Sequence, residues 1–395
     1  MENLILLFYT LVQIPSPSLK EAPVADKIIE VLSESGIEAH KDNYGNVIAI
    51  LDANTEGKKT VLLSSHMDVV GDDSPVNVVE KDGYLMTDKT RTLGADDKAG
   101  VAAAITLVKE IKEKNISHGK IEMVFTRDEE NGLTGANNLD FSQFESEYVI
   151  VIDADKTGDI LTSGASFVKL NLAVNTYKGG HSGNDIDDKT RLNAVKLIAE
   201  LMNSIPQGVY YKNKTGVITS INAGAILGGG VENSIKDFHS EKEIIEHAMT
   251  NLINTDAYAI YSLRSADRKK EEELINKVKK FVDKFNKKYN GLAKADLKVE
   301  YHMKAFEKAD DETLIKAARK AGQKTGLKIN EGSFHAGAET HIYANKQNKY
   351  GKTFKPVLLG VADIYGMHSK DEKMDVESYK KGYEFLKQLY LEFLE

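Results

Sequence analysis

The stretch Thr60-Val-Leu-Leu-Ser-Ser-His-Met-Asp-Val-Val-Gly71 decides the architecture. Its uninterrupted apolar run, Val61–Leu63, is the pattern of a strand buried on both faces, as in a parallel sheet covered by helices. The run leads to His66-Met-Asp68. In an open α/β sheet, ligands collect outside the carboxyl ends of the strands, which is where His66 would be delivered. Alternate residues of an extended segment share a face, so Asp68 can accept from the ring N–H that a metal on His66 leaves free. Taken alone, a histidine at a strand end is more often a plain hydrogen-bonded residue. The rest of the chain has to decide.

Two more apolar runs end in the same chemistry. Lys120–Phe125 leads into Thr126-Arg-Asp-Glu-Glu-Asn-Gly132, and Tyr148–Ile152 delivers Asp153-Ala-Asp155. Between the first two lies Thr92-Leu-Gly-Ala-Asp-Asp-Lys-Ala-Gly100, which opens an Ala-rich helix over Val101–Lys114. Acids at a helix start are also favoured by its free N–H groups and dipole, which is the plain reading of Asp97. Glu129 and Glu130 could be a solvated charge run, but they follow a buried strand and precede Gly132 and Gly135. A last histidine, His368, stands in the loop Gly366-Met-His-Ser-Lys-Asp-Glu372, and the segment Ser333-Phe-His-Ala-Gly-Ala-Glu-Thr-His341 brings His335 and Glu339.

Composition narrows the chemistry. At 395 residues the chain exceeds the usual single domain. A net charge of −8 with no basic stretch argues against nucleic acid. With no cysteine, a metal must be held by His, Asp and Glu, and the chain suits a reducing cytoplasm. The apolar N-terminus carries Glu2 where a signal peptide has basic residues, and reads as an amphipathic helix capping the sheet. No stretch approaches a membrane span.

From Ala165 the texture changes. Phe167–Tyr177 alternates apolar and polar residues, Gly179-Gly-His-Ser-Gly183 interrupts it, and helices at Leu192–Ser204 and Lys269–Tyr289 alternate with strands at Gly216–Ala225, Ala257–Arg264 and Ala295–Lys304. This predicts an inserted α+β domain over 166–306, with 1–165 and 307–395 forming one α/β domain whose mostly parallel sheet is flanked by helices.

A set of His66, Asp96, Glu130, Asp153 and His368, without sulfur, suits a pair of Zn²⁺ ions, with Co²⁺ or Mn²⁺ as substitutes. Two such ions share a water, lower its pKa towards about 7 and polarise a carbonyl. One of two adjacent glutamates then binds metal while its neighbour acts as general base.

The ordered motifs SSHMDVV, GADDKAG, RDEENG, VIDAD, GGHSG and GMHS resemble the M20 family of dinuclear zinc peptidases, and within it the peptidase T-like aminotripeptidases. The resemblance implies that His66, Asp96 and Asp153 hold one zinc and that Asp96, Glu130 and His368 hold the other. Asp68 would orient His66, Glu129 would be the base activating a metal-bridging water, and the inserted lid domain's His181 would contact substrate. The family also implies a cis Asp96–Asp97 peptide, and it allows a homodimer through the lid. Val231-Glu-Asn-Ser234 and Ser262-Leu-Arg-Ser265 resemble substrate-binding segments, making Asn233 and Arg264 candidates for the substrate's carbonyl or carboxylate; a surface salt bridge is the plain reading of Arg264. The segment around His335 and Glu339 is more similar to the Xaa-His dipeptidase branch, as are His181–Ile186 and Arg191–Ala194. The expected function is therefore a cytoplasmic dizinc aminopeptidase acting on tripeptides, with an Xaa-His dipeptidase or an N-acyl amino acid amidohydrolase as the alternatives on the same metal centre. Its partner would be a short peptide, with neither nucleic acid nor membrane involved.

Overall fold

A computed structural model describes residues 2–231 and 248–395. The chain divides into two compact units, Met1–Gly164 with Phe306–Glu395, and Ala165–Ala305.

The first unit is built on an eight-stranded sheet in the order Glu38–Lys41, Val47–Leu51, Ile121–Thr126, Val61–His66, Tyr148–Ala154, Lys355–Gly360, Asp159–Gly164, Asn330–Phe334. The four strands from Ile121–Thr126 to Lys355–Gly360 run parallel. Apolar residues point to both sides of the sheet, as a doubly covered sheet requires. Val61 and Leu63 join one core with Ile121, Met123, Ile150 and Ile152. Leu62 joins the opposite core with Val124, Val149, Val151, Phe141 and Tyr343. Helices Glu2–Val12, Ala22–Glu34, Ala95–Glu113, Thr313–Thr325 and Val376–Leu394 contribute to the first of these cores.

The N-terminal helix does not cap the sheet as expected. Leu4, Phe8 and Leu11 are fully buried, and the helix packs on Ala95–Glu113, forming a second helical layer. The Phe8 ring meets Tyr379 edge-on at 5.9 Å. The Ala-rich helix can lie close to the sheet because of Gly100: a Cβ there would sit 2.1 Å from the Ile152 carbonyl oxygen.

Two strands carry no clear pattern in the sequence, Asp159–Gly164 and Asn330–Phe334. The first turns straight back from Tyr148–Ala154 through Gly158, whose φ of +87° a glycine adopts without cost, and runs antiparallel to Lys355–Gly360. The polar stretch 72–90 contains a hairpin, Val78–Lys81 with Tyr84–Thr87, in a small sheet shared with Ile364–Tyr365 and Lys373–Asp375.

The second unit is an antiparallel sheet in the order Gly208–Lys212, Ile218–Gly228, Asp256–Ser265, Phe167–Thr176, Ala293–Met303. Strict alternation along Phe167–Thr176 buries Val168, Leu170, Leu172 and Val174 under helices Ala194–Ser204 and Arg268–Lys288. Asn193 caps the first of these helices and Asp267 the second. Among the described residues no helix is long and apolar enough to cross a membrane.

Candidate metal centre

The sheet register assembles the site. Val61–His66 pairs in parallel with Ile121–Thr126, placing His66 beside Thr126, and the following turn carries Asp128, Glu129 and Glu130. On its other side Val61–His66 pairs with Tyr148–Ala154, with Ser64 opposite Val151; two residues further on, His66 and Asp153 are level. The chain passes from Val61–His66 to one neighbour and then crosses to the other, so these strand ends flank a reversal of strand order, where α/β sheets bind ligands.

Asp96 lies between two groups. Its Oδ1 is 3.0 Å from His66 Nε2, and its Oδ2 is 3.0 Å from His368 Nε2. Asp153 Oδ1 stands 3.6 Å from His66 Nε2, and Glu130 Oε2 stands 3.2 Å from His368 Nε2. The sets His66–Asp96–Asp153 and Asp96–Glu130–His368 each hold their ligand atoms within 4.8 Å of one another. Tetrahedral bonds of about 2.0–2.2 Å would place neighbouring ligand atoms about 3.3–3.6 Å apart, so this spacing fits a zinc-sized ion. Glu130 Oε1 is buried without a hydrogen-bond partner among the described residues, which is a second sign that a cation belongs there. The Asp96–Asp97 peptide is cis.

Supporting bonds hold His66, Asp96 and the Glu129–Glu130 turn in place. His66 Nδ1 lies 3.1 Å from the Asp68 carbonyl oxygen and 3.3 Å from its carboxylate, which leaves Nε2 directed into the site. Asp68 does more than orient the ring. Its carboxylate accepts the backbone N–H of Glu129 at 3.0 Å, that of Glu130 at 3.2 Å and the Ser18 hydroxyl at 2.7 Å. Burial would raise its pKa, but the bonds from His66 and these donors hold it well below the usual carboxylate range. Asp97 does not ligate: its carboxylate accepts the His66 backbone N–H at 3.3 Å and the Gly100 N–H at 3.1 Å. Glu372, fully buried, accepts from Gly94 N at 2.9 Å, Asp96 N at 3.2 Å and the Thr92 hydroxyl, tying the His368 loop to the Asp96 loop. The only sequence sign of Glu372 is an acid four residues after a candidate ligand.

The electrostatics are those of acids crowded out of water. Burial pushes Glu130 up to about 7 and Asp153 up to about 6. Glu129 is raised well above the ordinary value by burial and by the carboxylates around it. Burial would also raise Asp96, but the hydrogen bonds to His368 and His66 keep it ionised. The bond to Asp96 raises His368 to about 9. A third set of acids, Glu21, Asp68 and Asp128, accepts from backbone N–H groups, Asn131 and Thr134, and the Glu21 Oε2 that has no hydrogen-bond partner among the described residues lies 3.1 Å from Arg127 Nε, an ion pair that supplies its positive charge. It is a scaffold for the Glu129–Glu130 turn.

A cleft of about 370 Å³ opens over the centre, lined by His66, Asp96, Glu129, Glu130, Asp153 and His368 together with Asp155, Leu161, Phe334, Leu358 and Met367. Ala336, Gly337 and Ala338 also line it, while His335 is half-buried in the same loop. Glu339 is a correction to the expected substrate contacts. It is 1% exposed and turns inward, where its Oε2 accepts the Ser64 hydroxyl at 2.9 Å, beneath the strand that carries His66. Burial raises its pKa to about 7.

The remaining candidates belong to the second unit. His181 is exposed; its Nδ1 accepts from Gly183 N at 3.0 Å and Asn184 N at 3.3 Å, so the neutral ring carries its proton on Nε2. Arg264 is half-buried, with its guanidinium 4.7 Å from the Phe167 ring centroid. Asn233 lies outside the described residues.

Comparison with known proteins follows the same lines. Residues 62–392 match the family described as Peptidase family M20/M25/M40. The uncharacterized protein YqjE of Bacillus subtilis is 28% identical over 388 residues, covering 96% of this chain and 95% of its own. Peptidase T of Lactobacillus helveticus is 24% identical over 368 residues, 87% of this chain and 81% of its own. The crystal structure of aminopeptidase PepT from Bacillus cereus superposes with a TM-score of 0.84 at 27% identity, covering 100% of this chain and 99% of that one.

Proposed function

The chain belongs to peptidase family M20/M25/M40 and is a metal-dependent exopeptidase, and on that premise we propose that it is a cytoplasmic dizinc aminopeptidase removing the N-terminal residue of short peptides, tripeptides foremost. The observation that carries the reading is Asp96, which faces His66 with one oxygen and His368 with the other, beside a free glutamate whose backbone is held by Asp68. His66, Asp96 and Asp153 would hold one ion, and Asp96, Glu130 and His368 the second. Bound there, the ions supply Lewis acidity and bring the pKa of the attacking water to about 7.

The protein's own groups do the rest. Glu129 lines the cleft next to a ligand position, where its carboxylate takes a proton from the attacking water and passes it to the leaving amine. Asp68 fixes the Glu129–Glu130 turn through both backbone N–H groups, so base and ligand keep their separation. On the second unit, His181 offers a hydrogen-bond donor at Nε2 when its ring is neutral, and Arg264 a planar fork whose chemistry suits a carboxylate. The Peptidase T relative and the PepT aminopeptidase structure support an aminopeptidase over an amidohydrolase.

The test is hydrolysis of Ala-Ala-Ala, Ala-Ala, Ala-His and N-acetylalanine by the zinc-loaded protein, beside Glu129→Ala. Cleavage of Ala-Ala-Ala that the variant loses is the expected result. Preference for Ala-His moves the enzyme to the dipeptidase branch, and cleavage of the acetylated compound alone makes it an amidohydrolase.

A further inference from the structure

Asp155 is the one acid of the cleft that the centre does not use. It stands two residues beyond Asp153, immediately after the strand Tyr148–Ala154 ends, and both line the cleft. Its backbone is held firmly: the Asp155 carbonyl accepts Ile364 N–H at 3.0 Å, Thr157 N–H bonds Asp363 at 2.8 Å, and Gly158 N–H bonds the Gly360 carbonyl at 3.2 Å. The carboxylate carried on this support is half-buried, yet among the described residues no hydrogen bond or ion pair reaches it. The neighbouring Lys156 places its ammonium 4.0 Å from the Tyr365 ring centroid.

Charge gives this carboxylate a preference for a cation. With two divalent cations bound, the three candidate ligand carboxylates and Glu129 would offset their charge, and Asp68 is matched by its own donors. Asp155 would then be a surplus negative charge beside a neutral centre, with its carboxylate open to the cleft. A cation of the ligand would complete it. Peptide α-amines have pKa values of about 7.7–8.0, so most are ammonium at neutral pH. Leu161, Phe334, Leu358 and Met367 form an apolar wall in the same cleft, suited to the side chain borne by that ammonium-carrying residue.

We propose that Asp155 anchors the free α-ammonium group of the peptide's first residue and thereby selects unblocked N-termini. This rests on the peptidase reading above and deepens it by assigning the determinant of amino-end specificity. An N-acylated substrate has no charge to offer, and it leaves Asp155 desolvated and unpaired.

The test separates this assignment from the peptidase reading by measuring binding as well as turnover. The probes are L-alanine hydroxamate and its N-acetyl form, titrated calorimetrically into the zinc-loaded protein. The free-amine form is expected to bind at least tenfold tighter, a preference that Asp155→Asn and Asp155→Ser abolish with two zinc ions per chain retained. In turnover, both variants are expected to raise KM for Ala-Ala-Ala at least tenfold while kcat changes less than threefold. Equal affinity of the two probes for the wild type, or binding of neither, overturns the proposal without any variant. A preference kept in the variants overturns it as well, as does a loss confined to kcat. If the wild type prefers the free amine yet cleaves no peptide of the panel, the anchor stands and the aminopeptidase reading falls.

Discussion

The two halves of the candidate metal centre share Asp96 and differ in almost everything else. One half is made by strand ends: His66 is 2% exposed, its ring is held through Nδ1, its backbone N–H is taken by Asp97, and Asp153 leaves the adjacent parallel strand. The other half hangs on loops. His368 has a φ of +60°, its side chain is 51% exposed, and Glu130 stands on a turn held by Asp68. The strand-end half is preorganised by sheet hydrogen bonds and packing that exist without metal. The loop half depends on contacts across the chain, notably Glu372 and Asp68, to bring its ligands together. The same coordination chemistry can thus be built rigidly or adjustably according to the element that presents it.

The largest expected effect lies outside both halves. Glu129→Gln should lower kcat by about 10²- to 10⁴-fold while metal analysis still finds two ions and the melting temperature is kept. Loss of metal along with activity would assign Glu129 to one of the halves and break the division drawn here. Next in size, Asp68→Asn should weaken metal binding at the His66 half by about 10- to 100-fold, because the amide cannot replace the carboxylate on Nδ1 and on both turn N–H groups. Competition titration with a chelating dye reads this; an unchanged affinity would make Asp68 a scaffold only.

Chelator treatment should then separate the halves in time. The ion at His368 is expected to leave at least several-fold faster than the one at His66, giving a two-step release. His368→Ala should remove the fast step and leave the slow one. A single phase would mean that the exposed loop confers no lability.

The smallest effect is on stability. Without metal, the folded chain keeps Glu130 near 7, Asp153 near 6 and His368 near 9, all above their ordinary values. A group raised in the folded state contributes stability fully below its unfolded pKa and loses it as pH rises through the folded one. Metal-free protein should therefore lose melting temperature as pH rises from about 5 to 9 through these groups, and metal, which replaces the protons, should restore more at pH 8.5 than at pH 6. Scanning calorimetry with and without zinc checks it; a metal effect independent of pH would remove the crowded-acid account.

The parts of this centre that were legible in the chain were those written locally. Val61–His66, Ile121–Thr126 and Tyr148–Ala154 announce themselves as apolar runs that stop at His66, Glu129–Glu130 and Asp153, because a doubly covered strand needs hydrophobic residues on both faces and a polar break at its end. Alternation in Phe167–Thr176 marks the one-sided sheet for the same reason. Strand Asp159–Gly164 was not legible, since its residues are ordinary and its place is set by the Gly158 turn and by neighbours distant in sequence.

The residue types of the site and their order are thus properties of the sequence by itself, since periodicity and strand ends are short-range. What each acid does was decided only by the tertiary structure. Asp97, adjacent to Asp96, serves the His66 backbone, and Asp155 faces the cleft without a partner among the described residues. Glu339, which has the composition of a substrate contact, turns instead to Ser64, 275 residues away in the chain. A carboxylate takes its role from the donors and cations that surround it, and packing brings those from parts of the chain whose spacing carries no trace of the contact.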